Sequence, residues 1–271
     1  MASTIAVITA RNEEEHIART ITALQSQTHP ISEIIVVDDG SIDQTGKIAK
    51  EYGCTCINLP FHKKSYVGRP ELTEVWNIGL KTAETAQPDY VLLVGADHAL
   101  EPDYLEKLLG LVHGTNIVVS SGDYIGDPRK STSPGGSGRL VDASWWKKLN
   151  GMRYPVNWGW EGWLLYAAQF GGYEVKCFPQ LKTKLNRQIK MSMKKSYYWG
   201  KGTYCLHSDP LFAIFRCIRM GARNPLHGLA MFAGYVLHRN CKRYIDFSSE
   251  FQAKRQQQAM KAALRQLVGI K

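Results

Sequence analysis

Residues 34–43 read IIVVDDGSID. Four apolar, β-branched residues run straight into two adjacent carboxylates and a Gly-Ser turn. An uninterrupted apolar run fits a parallel strand covered on both faces, where no position faces water. The tip Asp38-Asp39-Gly40-Ser41 then falls at the carboxyl end of that strand, where open α/β sheets hold their ligands. A second such strand, Tyr90 to Val94, ends in Gly95-Ala96-Asp97-His98. Two buried strands delivering carboxylates to one sheet edge point to a site for a nucleotide and a metal.

Working outward, TIAVITA at 4–10 reads as a strand broken by Arg11-Asn12. Glu13-Glu14-Glu15 is expected to open a helix, since acids suit the positive end of the helix dipole. Ile17, Ile21 and Leu24 follow at helical spacing. Asp43 is placed to cap a helix running to Lys50, and a short strand is expected at about 54–59. A helix over 71–83, a strand over 89–94, a helix over 102–112 and a strand over 116–120 complete an alternation that predicts a mostly parallel sheet with right-handed crossovers. Ser131–Gly138 reads as a flexible loop by composition. A strand and short helix are expected over 139–149 and another strand over 173–178. Beyond about 188 the chain reads as helical.

The 271 residues suffice for one large α/β domain or a domain with an appendage, and 44% hydrophobic content is ordinary for a full core. No signal peptide is expected in MASTIAVITARN, and no run is apolar enough for a spanning helix. Six cysteines without a C-x-x-C pair read as reduced packing thiols in a cytosolic protein. Net charge is +10, and residues 176–201 carry eight Lys and Arg with no acid. That block calls for an anionic partner: a diphosphate, a membrane surface or a nucleic acid. The segment 211–238 is rich in large apolar groups but interrupted by Arg216, Arg219 and Arg223. It is too polar to span a bilayer, yet able to lie on one or to pack on the preceding domain.

The order strand-R-N-E-E, VVDDGS-x-D-x-T, an Ala-Asp after a buried strand, a W-E-x-W helix start and a G-G-Y strand resembles a family 2 glycosyltransferase with the GT-A fold. The likeness covers roughly residues 3–205. It implies a GT-A type, mostly parallel, Rossmann-like α/β sheet flanked by helices, in a glycosyltransferase domain over 1–205. The nucleotide-sugar half would span about 1–120 and the acceptor half about 121–205, with a helical C-terminal extension over 206–271 that touches membrane or packs on the domain. It also implies inverting, hexosyl-type transfer from a nucleotide diphosphate sugar, UDP-sugar favoured, to an acceptor hydroxyl. A divalent Mg2+ or Mn2+ would stabilise the leaving diphosphate, and a carboxylate would deprotonate the acceptor.

Residue by residue, Thr9, Ala10, Arg11 and Glu13 match the family's first loop, which wraps the nucleoside. Asp39 matches the carboxylate that reads the base, with Asp38 beside it. Ala96-Asp97 matches the end of the D-x-D, with Asp97 as metal ligand and Gly95 where the first Asp would stand; His98 is either an assisting ligand or an ordinary loop residue. Asn77 matches the end of an A-R-N-x-G segment whose Arg is Trp76 here, leaving Arg69 after Gly68, or Lys63 and Lys64, to supply the charge. Glu161 matches the first acid of an E-D pair whose second position is Gly162, so Glu161 is the expected base. Partial burial among Trp158, Trp160 and Trp163 would suit it to proton abstraction, and these rings serve as an acceptor platform or as core. Arg187 and the run Lys190–Lys195 stand where a loop closes over the diphosphate; Lys194 and Lys195 with Tyr197, Tyr198 and Trp199 also suit a membrane-surface helix.

The implied partners are the nucleotide sugar, a glycan or lipid-linked acceptor and an anionic membrane surface. The implied place is cytoplasmic, peripheral at the inner membrane face, in envelope polysaccharide, glycolipid or glycoprotein glycan synthesis. A degenerate relative that binds nucleotide sugar without transfer is the alternative, because Gly95 and Gly162 replace acids. A sugar-phosphate nucleotidyltransferase would need a Gly-rich phosphate loop that TARNEEE does not provide. Nucleic-acid binding through the basic block would show as steep salt dependence.

Overall fold

The computed structural model describes residues 2–125, 133–187, 191–222, 224–237 and 241–268, with side chains through Lys261. Ser131 and Thr132 of the Gly-rich loop, Lys190 of the basic run and Arg223 lie outside the described residues. The chain divides into two compact units.

The first unit comprises residues 1–65, 72–154 and 172–189. Its strands and helices are β1 (Thr4–Ala10), α1 (Ile17–Gln25), β2 (Glu33–Asp38), α2 (Thr45–Glu51), β3 (Thr55–Asn58), α3 (Glu71–Thr85, from Leu72 on in this unit), β4 (Tyr90–Gly95), α4 (Tyr104–Val112), β5 (Ile117–Tyr124), β6 (Arg139–Asp142), α5 (Ala143–Asn150) and, after the excursion into the second unit, β7 (Glu174–Thr183). The sheet order is β3-β2-β1-β4-β6-β5-β7. β1, β2, β3 and β4 pair in parallel, as do β5 and β7, while β6 runs antiparallel between β4 and β5.

The apolar run of β2 is continuous because both faces are covered. Ala6, Ile8, Val36, Leu92 and Val94 pack with Ile17, Ile21 and Leu24 of α1 and Leu105 and Leu108 of α4. On the opposite face α3 comes so close that a Cβ on Gly79 would lie 2.7 Å from Val7 Cγ1 and 2.9 Å from Val37 Cγ2. Glycine there sets the helix-to-sheet spacing.

One expected helix start moves. α1 begins at Ile17, and the three glutamates precede it in a turn in which the Glu13 carbonyl accepts from the N–H groups of His16 and Ile17. The reason lies in the next loop. The N–H groups of Asn12, Glu13 and Glu14 donate to Ser41 Oγ (2.9 Å), Thr45 Oγ1 (2.7 Å) and Asp43 Oδ2 (3.2 Å), and Glu14 Oε2 accepts from Gln44 N–H (3.0 Å). These side chains take the donors that a helix start would leave to the dipole, so the first two strand tips are stitched together. β5 also runs on to Tyr124 rather than stopping at Ser120, because β7 pairs along its length.

The second unit comprises residues 66–71, 155–171 and 190–271. It holds α6 (Trp160–Phe170), α7 (Met193–Cys205), α8 (Pro210–Gly221), α9 (Pro225–Val236) and α10 (Ser249–Val268). Among the described residues no helix is long and apolar enough to cross a membrane. All six cysteines are free.

Candidate functional site

At the tips of β1 and β2, Asp38 and Asp39 are both buried but differently employed. Asp38 turns inward: Oδ1 accepts from Ser41 N–H at 3.0 Å and Oδ2 from Asn58 Nδ2 at 3.3 Å. Asp39 faces His62, whose Nε2 lies 2.9 Å from Oδ1, and Arg11, whose Nη1 lies 3.8 Å from Oδ2. Arg11 also reaches the His62 ring and donates to the carbonyls of His62 and Lys64. The turn needs glycine at 40: its φ is +67°, and a Cβ would stand 2.6 Å from the Pro60 carbonyl oxygen. The loop after β3 is thereby held against the β2 tip. Sequence reasoning named its neighbours Lys63 and Lys64 and passed over His62; the only local signal was an imidazole between Pro60-Phe61 and two lysines.

At the tip of β4, the Ala96 carbonyl accepts from Thr20 Oγ1 at 2.8 Å, which fixes the turn that presents Asp97. Arg187 sits between two carboxylates. Its Nε donates to Asp97 Oδ2 at 2.5 Å and its Nη2 to Glu13 Oε1, while Asn186 N–H donates to the Asp97 carbonyl at 2.8 Å. Burial lifts the Glu13 carboxyl above the usual range, against the pull of Arg187. The other oxygen, Glu13 Oε2, is buried without a hydrogen-bond partner.

Among the described residues no group of three His, Cys, Asp or Glu is placed to hold a metal ion. A divalent ion at a nucleotide diphosphate takes much of its oxygen shell from phosphates and water. What the structure offers is a pair of carboxylates, Asp97 and Glu13, converging on one cation, with Glu13 Oε2 buried and unpartnered, and this donor set fits a divalent ion that takes further oxygens from phosphate and water.

His98 does not belong to that set. It is fully buried, with Nδ1 2.7 Å from Ser137 Oγ and Nε2 hydrogen-bonded to Thr183 Oγ1. Burial depresses its pKa to about 4. Both ring nitrogens are spent tying Ser137 and the end of β7 to the β4 tip, so His98 is a buried structural loop residue with no nitrogen left for a metal. Asn77 is likewise engaged: its Nδ2 donates to the Tyr154 carbonyl at 2.8 Å and its Oδ1 accepts from Tyr154 N–H at 2.7 Å. Trp76, where the family has Arg, is buried in the core. Thr9 and Ala10 lie in β1, register partners of Val37 and Asp38.

In the second unit, Gly68 adopts φ +76° beside Tyr198, and Arg69 is paired with Glu71, its Nε 3.2 Å from both carboxylate oxygens. Glu161 lies in the first turn of α6, after Gly159 at φ +77°, and is exposed. The partial burial expected from its tryptophans is absent, and the rings have other partners. Trp160 and Trp163 are buried, and Trp163 Nε1 donates to Asp246 Oδ2 at 2.7 Å. Those two rings are core. Trp158 is only half-buried, tilted against Tyr198 at 4.8 Å between centroids and carrying Lys201 Nζ 4.1 Å from its ring centroid. A Cβ on Gly159 would lie 2.9 Å from the Gly202 carbonyl oxygen, so the α6 start rests on the backbone of α7.

This sheet order, with an antiparallel strand entering beside β4 and acids at the tips of β2 and β4, is that of the GT-A fold. The solved mannosyltransferase PcManGT from Pyrobaculum calidifontis, in complex with GDP-Man and Mn2+, aligns over 97% of this chain and 80% of its own, with TM-score 0.58 at 15% identity. S. aureus TarS in complex with UDP-GlcNAc aligns over 88% of this chain and 76% of its own, with TM-score 0.55 at 18% identity. The model of glycosyl transferase family 2 matches residues 5–172, and the chain belongs to that family. The Bacillus subtilis putative glycosyltransferase EpsH is 31% identical over 103 residues, which is 38% of this chain and 28% of that protein. The chain thus spans well under half the length of this curated relative.

Proposed function

We propose that the protein transfers a sugar, with inversion, from a nucleotide diphosphate sugar to an acceptor hydroxyl, with a UDP-sugar the favoured donor. The observation that carries the reading is the convergence of Glu13 and Asp97 on one cation beside a strand tip where Asp39 meets Arg11 and His62. Asp39 accepts the ring N–H of the base, and Arg11 holds the nucleoside against the β1 tip. Solved structures of this fold carry UDP-GlcNAc in TarS and GDP-Man in PcManGT, so the donor base is decided by a panel of nucleotide sugars.

Asp97, with Glu13 beside it, would hold a divalent ion, which would supply charge neutralisation at the leaving diphosphate. Glu161 takes the proton of the acceptor hydroxyl as its oxygen attacks the anomeric carbon. The anomeric C–O bond to the diphosphate breaks, the electron pair leaves with the nucleotide, and the configuration inverts. Residues 1–205 carry this chemistry and residues 206–271 form the helical extension. The acceptor is a lipid-linked or envelope glycan met at the inner face of the cell membrane, a place that suits the acid-free basic block.

The test is a calorimetric panel of UDP-, GDP- and dTDP-sugars with and without Mn2+ or Mg2+, with Asp97→Ala as control. One donor bound only with metal, and lost in the variant, is the expected result. No binding to any donor overturns the reading. Gly95 and Gly162, each in place of an acid, favour one second reading: a binder that does not transfer. It is distinguished by metal-dependent donor binding with no donor hydrolysis or transfer.

A further inference from the structure

The second unit presents two apolar stripes to the outside. Leu211, Ile214 and Ile218 recur at helical spacing along α8, and Leu226, Leu229 and Phe232 along α9. Leu211, Ile218, Leu226 and Leu229 are 60–74% exposed. Isolated exposed leucines are ordinary; six large apolar groups on two consecutive packed helices are not.

α7, α8 and α9 come closest at glycines, alongside side-chain contacts such as Tyr204 against Tyr235. A Cβ on Gly228 would stand 2.8 Å from Gly221 Cα; one on Gly200 would stand 2.0 Å from the Met231 carbonyl oxygen, and one on Gly234 2.0 Å from that of Tyr197. Backbone-to-backbone packing at small residues needs no hydrophobic interlayer, and it is the usual solution where the surroundings are themselves apolar. It leaves the large side chains free for something else.

The charge says for what. From Lys190 to Ile245 the sequence holds ten Lys and Arg and one acid, Asp209. Asp209 is spent accepting from Leu211 N–H at 2.8 Å at the start of α8. Arg219 is exposed one position beyond Ile218 on the same helix, and Lys242 and Arg243 are exposed after α9. A second copy of this chain would set this local excess of positive charge against itself. An anionic bilayer answers both features: its acyl boundary takes the apolar stripes and its headgroups take the cations.

We propose that the outer faces of α8 and α9 form a docking surface for an anionic lipid bilayer, lying in the interface without crossing it. This deepens the peripheral location in the proposed function. Vesicle binding is measured without donor, so its failure is separate from failure of the transfer reading.

The experiment is co-sedimentation of the full chain with phosphatidylcholine vesicles containing about one-third phosphatidylglycerol, against pure phosphatidylcholine. Binding to the anionic vesicles is expected to be at least about tenfold tighter and to weaken on going from 0.1 to 0.5 M salt. Leu211→Gln/Leu226→Gln/Leu229→Gln should lower partitioning by about a hundredfold or more. Hydrogen exchange on the unaltered chain should show vesicle-induced protection over 210–236, a readout independent of how the variant folds. No binding to anionic vesicles, or protection confined to other segments, overturns the proposal. Equal binding to both vesicle types removes the charge argument and overturns it as well. A lipid-free dimer broken by the same triple variant would assign the face to a second copy instead.

Discussion

Arg187→Met removes the cation that holds Glu13 and Asp97 together. In the structure Arg187 Nε lies 2.5 Å from Asp97 Oδ2 and its Nη2 pairs with Glu13 Oε1; the guanidinium is 53% exposed and the two carboxylates 20% and 13%. Screening at that exposure limits each pair to about 0.5–1 kcal/mol. An entering divalent ion that must displace Arg187 therefore works against about 1–2 kcal/mol, a factor of about 5–30 in affinity. In the absence of nucleotide, Arg187→Met should bind Mn2+ about 5–30-fold more tightly than the unaltered chain, read from free Mn2+ by paramagnetic resonance. Adding Asp97→Asn should abolish the gain. With UDP present the sign should reverse, because the diphosphate then lacks its arginine. Unchanged or weaker Mn2+ binding in the nucleotide-free variant would refute the reasoning: Arg187 would not be occupying the place of a metal.

Three further outcomes are expected. Glu161→Gln should slow transfer by about 10²–10⁴ while donor affinity stays unchanged, measured by product formation beside calorimetry; a variant with full turnover would remove Glu161 as base. Asp39→Ala should weaken UDP and UDP-sugar alike by about tenfold to a hundredfold, through loss of one charged hydrogen bond to the base, and unaltered affinity would place the base elsewhere. Gly79→Ala should cost about 1–2 kcal/mol in urea unfolding, because crowding against Val7 and Val37 outweighs a helix-propensity gain of at most about 1 kcal/mol. A more stable variant would show that α3 can lift off the sheet.

The strands were legible where their environment is uniform. β1, β2 and β4 are buried on both faces, so their composition alone betrays them. What the sequence could not show are features set by distant partners. Glu13–Glu15 carry an N-terminal composition, yet the helix starts later because Ser41, Asp43 and Thr45 take the backbone donors. His62 has no distinguishing neighbours, and only the fold brings it to Asp39. Arg187 and Asp97 were each singled out, but their ion pair joins residues ninety positions apart. Asn77 illustrates the converse: the motif match was clear, and the amide is spent on Tyr154. Glu161 matches by position, but one of its tryptophans, Trp163, is bonded to Asp246, far along the chain.

The bonds that join residues 12–14 to residues 41–45 make one mechanical body of two loops that differ in sequence and in task. Loosening either transmits to the other, so the loop proposed to cradle a nucleoside and the loop that follows the proposed base-reading Asp39 share a single compliance. Attempts to alter base preference by editing only the second loop would shift the first as well. Exchange of both segments together, as a cassette, is the change this architecture tolerates.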